Sequence, residues 1–327
     1  MGIYGTLSST GSWLSPPNLQ LPTPTPMNLT HRPFSDDDMP RVQAAVSGWI
    51  RDAGVCGYGH IGYLPHRIYA ILRGRAAGDL VRVWEDGDQV AGVAVCGMFD
   101  AAFDVLACPA CRGGAIEVAM LEDAAALTLR AVRSLDPARA EVITDVYGCD
   151  TIRRRLLAQI GFTQYRQWDD IAERDLSARI ADAPAPAGFT IRPARSDDAA
   201  GLAVARNDTF DDSWTAAQYR EMAARLPGQL PEREIVAVAP DGRIAAFAVL
   251  WLDQVNRTGL FEPVGVAPAF RRLGLARAVM TGAMGELRRL GAETAVISYD
   301  ATNLAARALY RSLGFQKTGE TLGYRRG

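Results

Sequence analysis

The sequence predicts an α/β (α+β) protein built from two tandem copies of one unit, each a mixed, mostly antiparallel central sheet flanked by helices. Three observations lead there. The two halves resemble each other in order, hairpin signals sit among β-rich runs, and helical segments stop at glycine just before a new strand.

The internal similarity recurs at three places. Residues 29–38 match residues 189–198: each has a short strand, then Arg32-Pro33 or Arg192-Pro193, then a Ser/Asp cap opening a helix. Residues 83–95 parallel residues 236–249, with Asp86-Gly87 and Asp241-Gly242 as hairpin turns between β-rich runs. Residues 156–162 parallel residues 309–315, where a helix ends at Gly161 or Gly314 and an apolar strand begins. Identity and order hold together, which argues for duplication. The expected layout is a disordered leader over 1–27, a first domain over 28–177, a linker over 178–188 and a second domain over 189–327. The linker assignment rests on the Ala-Pro-Ala-Pro run from Ala183 to Pro186.

In the second half the pattern predicts a hairpin from Ile235–Val238 and Ala245–Trp251, then a strand over Leu260–Val266. A helix follows over Leu273–Leu290, a strand over Thr294–Ser298, a helix over Leu304–Ser312, and a terminal strand or hairpin from Phe315.

At 327 residues the chain suits two domains of roughly 100–200 residues each. A net charge of −2 gives no overall field for nucleic acid or an anionic membrane. No apolar run approaches the roughly 18 residues of a membrane span. The leader is rich in Ser, Thr, Pro and Gly and lacks the basic start and apolar core of a secretory signal. Five cysteines, an odd number all placed before residue 150, point to reduced thiols in a cytoplasmic protein.

The segment from Phe261 to Met280 carries chemistry. A strand ends at Val266, a turn containing Pro268 follows, and a loop with Gly274 opens a long helix. The first turn of a helix presents unpaired N–H groups and the positive end of the macrodipole. A glycine lets an anion approach, and Arg271 and Arg272 supply charged donors at the rim. Such a corner suits a phosphate.

Arg271, Gly274 and Ala276, following Val264 and Val266, resemble the pyrophosphate loop of the GNAT superfamily of N-acetyltransferases. The segment Asn303–Phe315, with Ala306, Leu309, Tyr310 and Gly314, resembles that superfamily's second CoA-binding segment. The resemblance covers most of residues 189–327. It implies two tandem GNAT-like domains, a plan similar to that of the mycothiol synthases, with acetyl-CoA as acyl donor and no metal. It implies that Val264, Gly265 and Val266 splay from the neighbouring strand and bind pantetheine. Arg271, Arg272, Leu273, Gly274, Leu275 and Ala276 would hold the pyrophosphate, and Asn303 with Ala306 would contact the CoA. Tyr310 would protonate the departing thiolate: phenol and thiol have reference pKa values of about 10 and 8.5. Glu262 is the candidate base, expected on the same strand face as Val264 and Val266. Core packing for Tyr310, a buried ion pair for Glu262 and a water relay for the proton are the alternatives.

The first half departs from this pattern. Aligning Pro109 with Pro268 sets Ala115 at the Gly274 position and Glu117 at the Ala276 position. Asp150 falls at the Asn303 position and Leu157 at the Tyr310 position, so the phenol is absent. This half reads as a unit that kept its fold and lost its cofactor grip. Cys108 and Cys111 form a lone C-x-x-C without a second ligand pair and read as structural thiols. His60 and His66 are either acceptor contacts or ordinary histidines. Asp211 and Asp212 read as an acidic pair for a cationic amine, with a helix-capping role for Asp212 or Ser213 as the alternative.

The reading is an acetyl-CoA-dependent N-acetyltransferase acting by direct transfer on a primary amine of a small molecule. The expected protein is a monomer or homodimer with no nucleic-acid or membrane partner. A non-catalytic acyl-CoA sensor or scaffold, and transfer to a protein amine, are the alternatives.

Overall fold

Each repeat opens on the same ion-paired module. In the computed structural model, which describes residues 28–99, 101–226 and 233–327, Arg32 grips both oxygens of Asp38 at 2.7 and 2.6 Å. Arg192 grips Asp198 in the same way at 2.6 and 2.8 Å. The same carboxylates accept from the backbone N–H of Ser35 and Arg195. The shared Arg-Pro…Asp spacing therefore encodes one local structure twice. The expected leader over 1–27 lies outside the described residues.

The first repeat runs β1 (Leu29–Pro33), α1 (Met39–Ala53), α2 (Tyr63–Pro65) continuing as a π-helical turn (His66–Ile71), and α3 (Ala77–Leu80). Then come β2 (Val81–Asp86), β3 (Gln89–Met98), β4 (Ala102–Ala107), α4 (Ala115–Arg133), β5 (Val142–Tyr147), α5 (Thr151–Gln159) and β6 (Thr163–Asp175). The second runs β7 (Thr190–Pro193), α6 (Ala199–Phe210), α7 (Ala216–Arg225), β8 (Glu234–Val238), β9 (Ile244–Asp253) and β10 (Thr258–Val266). It closes with α8 (Leu275–Arg289), β11 (Thr294–Asp300), α9 (Leu304–Ser312) and β12 (Gln316–Arg326). Residues 176–189 hold no helix or strand.

The mixed, mostly antiparallel sheet flanked by helices is present, and the two copies share it. The strand order is β1-β2-β3-β4-β5-β12-β6-β11-β10-β9-β8-β7. The last strands are exchanged: β12 of the second repeat pairs with β5 of the first, and β6 of the first pairs with β11 of the second. The parallel pairs, β4/β5 and β10/β11, occupy equivalent places in the two copies.

Alternate residues of the strands serve different cores. Val236 and Phe247 join a core containing Val42 and Val46 of α1 with Leu202 of α6 and Tyr219 of α7, so both repeats share that face. Ile235 and Ala246 face a separate core under α8, and α4 covers a third core in the first repeat. No helix of the described residues is long and apolar enough to cross a membrane.

The thiol expectation needs one correction. Cys56 and Cys149 are joined as a disulfide across 93 residues, with Cα atoms 6.0 Å apart. Folding brings the turn after α1 against the end of β5, within ordinary disulfide reach. Cys108 and Cys111 hydrogen-bond through their sulfurs at 3.1 Å.

Candidate active site

Strand β10 pairs with β11 only over Thr258–Leu260 and then diverges, whereas its pairing with β9 continues to Val266. The edge at Val264–Val266 is thereby left open toward β11. Between Phe261 and Val264 the register with β9 slips by one residue. This bulge breaks the expected alternation. Val264 and Val266 pack toward the α8 core, whereas Glu262 turns to cavities on the other side. Glu262 therefore does not share their face. Gly265 has a packing reason of its own: a Cβ there would lie 2.5 Å from the Phe247 ring.

After β10 a short 3-10 turn (Pro268–Phe270) leads into the exposed residues Arg271, Arg272, Leu273 and Gly274. Gly274 caps α8 with φ +84°, and nothing stands within 4 Å of where its Cβ would be. The first backbone bond of α8 runs from Ala278 N–H to Gly274 C=O at 3.1 Å. The N–H groups of Leu275 and Ala276 ahead of it are free of the helix ladder. Arg271 Nε donates to Val266 O at 3.3 Å, which ties the loop to the open edge. Asn303 has a structural duty: its Oδ1 accepts from Ala306 N–H at 3.0 Å and caps α9.

Tyr310 lies on α9, 7% exposed, with its ring 5.3 Å from that of Tyr299. Burial, followed by the charge of Glu262, pushes the phenol well above its ordinary value, so it stays protonated as a donor. Glu262 itself rises from 4.5 to about 7, first through burial and then through nearby Asp169. Its contact is with His66, Nε2 to Oε1 at 3.5 Å, rather than with an arginine. Trp251 Nε1 holds the Glu262 carbonyl at 2.7 Å, anchoring the bulge.

Glu262 borders a polar cavity of about 310 Å³ on the seam between the repeats. The first repeat contributes Tyr63, Arg67, Asp104 and Asp145, and the exchanged strand β6 contributes Asp169. Tyr63 OH meets Ser298 Oγ at 2.7 Å, and Arg67 pairs with Asp104. Burial raises Asp145 to about 6 and also lifts Asp169. The sequence reading missed these acids. Asp104 and Asp145 interrupt apolar strands, a signal that was available, but the arrival of Asp169 depends on the strand exchange.

His66 reaches this site and His60 does not. His60 Nδ1 accepts from Gly62 N–H at 3.0 Å, so its Nε2–H donates to Thr258 O at 3.2 Å, linking the two repeats as a neutral ring. Asp212 is a brace: it pairs with Arg73 and accepts from Trp214 Nε1 at 2.8 Å. Thr215, rather than Asp212 or Ser213, caps α7.

In the first repeat the equivalent grip is filled from within. From the short turn Pro109–Cys111 to the start of α4 the loop is one residue shorter than its counterpart. Gly114, not Ala115, therefore takes the capping place of Gly274, and Glu117 lies in the first turn of α4. The fully buried Glu117 carboxylate accepts from Gly113 N–H and from Arg153 Nε, both at 2.5 Å. Arg153 also donates to Val105 O at 2.8 Å, on the strand equivalent to β10. Arg112 closes on Asp150 with two 2.6 Å contacts, while Asp150 caps α5 just as Asn303 caps α9.

The sequence profile of the Acetyltransferase (GNAT) family matches residues 199–315. Among curated proteins the chain is similar to a mycothiol acetyltransferase of Salinispora arenicola, 31% identical over 163 residues, covering 47% of this chain and 53% of that one. It is also similar to the ribosomal protein bS18-alanine N-acetyltransferase of Escherichia coli, 39% identical over 79 residues, covering 24% of this chain and 51% of that one. The chain thus spans about half the length of the curated relatives it matches. The fold resembles that of a tandem GNAT protein from the clavulanic acid biosynthesis pathway, with a TM-score of 0.62 at 14% identity over 91% of this chain and 98% of that one. Residues 199–315 carry an acetyltransferase domain of the GNAT family.

Proposed function

We propose that the second repeat binds acetyl-CoA and transfers its acyl group directly to a primary amine of a small molecule. The observation that carries this reading is the position of Glu262. It stands between an open strand edge with a free helix N-terminus and an acidic cavity.

In this reading the pyrophosphate rests on the N–H groups of residues 272–276, with Arg271 and Arg272 at its rim. The pantetheine arm lies along Val264–Val266, with Asn303 and Ala306 beside it. The acidic cavity draws in the ammonium form of the acceptor. Glu262, poised near 7, takes the proton from the amine. The freed nitrogen attacks the thioester carbonyl, and a backbone N–H near Val266 holds the oxyanion. The C–S bond then breaks, the thiolate takes the Tyr310 proton, and the tyrosinate takes the remaining excess proton of the acylated nitrogen.

The working units remain 28–177 and 189–327 joined by 178–188, with the first repeat as a wall of the acceptor cavity. Monomers or homodimers in the cytoplasm suit this scheme.

The test is release of free thiol from acetyl-CoA across a panel of small amines. Amine-dependent release that falls at least about a hundredfold in Glu262→Gln supports the reading, that being the usual size of an acid–base contribution. Tight acetyl-CoA binding without release on any amine would instead favour a sensor, and release only with a peptide would favour a protein acceptor.

A further inference from the structure

Two thiols meet on the short turn after β4. Cys108-Pro109-Ala110-Cys111 occupies in the first repeat the place that Ala267-Pro268-Ala269-Phe270 occupies in the second. The two turns share their backbone bonds. Cys111 N–H to Cys108 O and Phe270 N–H to Ala267 O are both 2.9 Å, and Arg112 N–H to Pro109 O and Arg271 N–H to Pro268 O are both 3.3 Å. Ala267 and Phe270 thus build the same turn without sulfur, so the backbone geometry does not call for the cysteines.

Cys108 Sγ and Cys111 Sγ stand 3.1 Å apart, about 1 Å beyond a covalent S–S bond of about 2.05 Å. The turn bond holds their Cα atoms within the roughly 7 Å of a four-residue turn, close to the range that disulfides span. The two sulfurs differ in access. Cys108 is half-buried and is followed by the exposed Pro109 and Ala110, whereas Cys111 is 1% exposed. They differ in acidity as well. The hydrogen bond with Cys111, and then the N–H groups of Cys111 and Ala110, pull the Cys108 thiol below its ordinary value against its burial. The same hydrogen bond, followed by burial, pushes Cys111 up. An accessible thiolate beside a buried thiol lets one sulfur attack and the other resolve.

We propose that Cys108 and Cys111 form a redox-active dithiol that exchanges with small disulfides. The Cys108 thiolate attacks one sulfur of the disulfide, forming a mixed disulfide and releasing the other half as a thiolate. That thiolate takes the Cys111 proton. Cys111 sulfur then attacks Cys108 sulfur, the Cys108–Cys111 bond forms, and the second half leaves as a thiolate that takes the proton Cys108 lost on ionising. The dithiol is oxidised by two electrons and gives up two protons, and the small disulfide is reduced to two thiols. This activity is separate from acyl transfer and does not depend on it.

The experiment equilibrates the full chain in glutathione buffers of increasing oxidised fraction, quenches with a thiol alkylator, and assigns each cysteine by peptide mass spectrometry. The expected product is an internal Cys108–Cys111 disulfide, its population following the ratio of oxidised glutathione to the square of reduced glutathione. In Cys111→Ser, Cys108 should instead trap a glutathione. With oxidised glutathione alone, wild-type Cys108 should react at least about a hundredfold faster than Cys96, which is fully buried and pushed up to about 12. A mixed disulfide as the sole wild-type product would mean that the pair does not close, and would overturn the proposal. Both thiols remaining open to the alkylator in fully oxidised buffer would overturn it too, as would a Cys108 no faster than Cys96.

Discussion

His66 Nε2 stands 3.5 Å from Glu262 Oε1, so an imidazole of the first repeat faces the candidate base of the second. Burial, followed by the charges of Arg206 and Arg67, pulls His66 down to about 3, so the ring is neutral where Glu262 titrates. The contact is therefore not an ion pair, and burial dominates the carboxylate.

The first prediction concerns pH. With a base titrating at about 7, kcat/KM should rise tenfold per unit up to that pH and then level off, and Glu262→Gln should lose this limb. Stability runs the other way. The folded pKa exceeds the ordinary 4.5, so between 4.5 and 7 the unfolded chain releases a proton that the folded chain keeps. Wild type should lose up to about 3 kcal/mol relative to Glu262→Gln over that window, at about 1.4 kcal/mol per unit. Denaturant titrations of both proteins at pH 5 and 8 check this; a constant difference between them would contradict it.

Tyr310→Phe should reduce kcat by about a hundredfold or more while acetyl-CoA affinity stays within about threefold, because in the proposed reaction the hydroxyl acts on the leaving thiolate rather than on CoA binding. Steady-state kinetics together with calorimetric binding of CoA measure both. Unchanged kinetics would return Tyr310 to a packing role against Tyr299.

Gly274→Glu should abolish CoA binding. The backbone there has φ +84°, which strains any side chain, and the added carboxylate faces the site meant for the pyrophosphate. Calorimetry on a variant with wild-type circular dichroism is the measurement; retained affinity would move the site elsewhere.

Glu117→Ala should destabilise the protein by about 3–5 kcal/mol, because it strands buried Arg153 and leaves the Gly113 N–H unpaired. CoA affinity should be unaffected, since the proposed CoA site lies in the second repeat. Chemical denaturation and calorimetry separate the two effects.

Much of the fold was legible because its signals are local. The Arg-Pro…Asp module, the Asp-Gly turns and the Gly-Phe helix ends are each written within ten residues, and each occurs twice. The exchange of β6 and β12 was not legible, because either strand fits either sheet by its own alternation and only the tertiary pairing decides. That exchange also hid Asp169 from the sequence reading. The Glu262 face was misjudged because the bulge adds one residue to a strict period of two. The contacts of Glu117 were not legible either: its carboxylate folds back onto the Gly113 N–H and Arg153 Nε, which lies 36 residues further along the chain.

The account is at bottom a claim of asymmetry, with two copies of one fold and a single open CoA grip. A crystal structure with CoA bound tests it most directly. The account predicts the pyrophosphate on the backbone N–H groups of residues 272–276, the sulfur beside Tyr310, and no ligand at residues 112–117. A pyrophosphate seated at Arg112 and Glu117, in place of or alongside the second site, would contradict it.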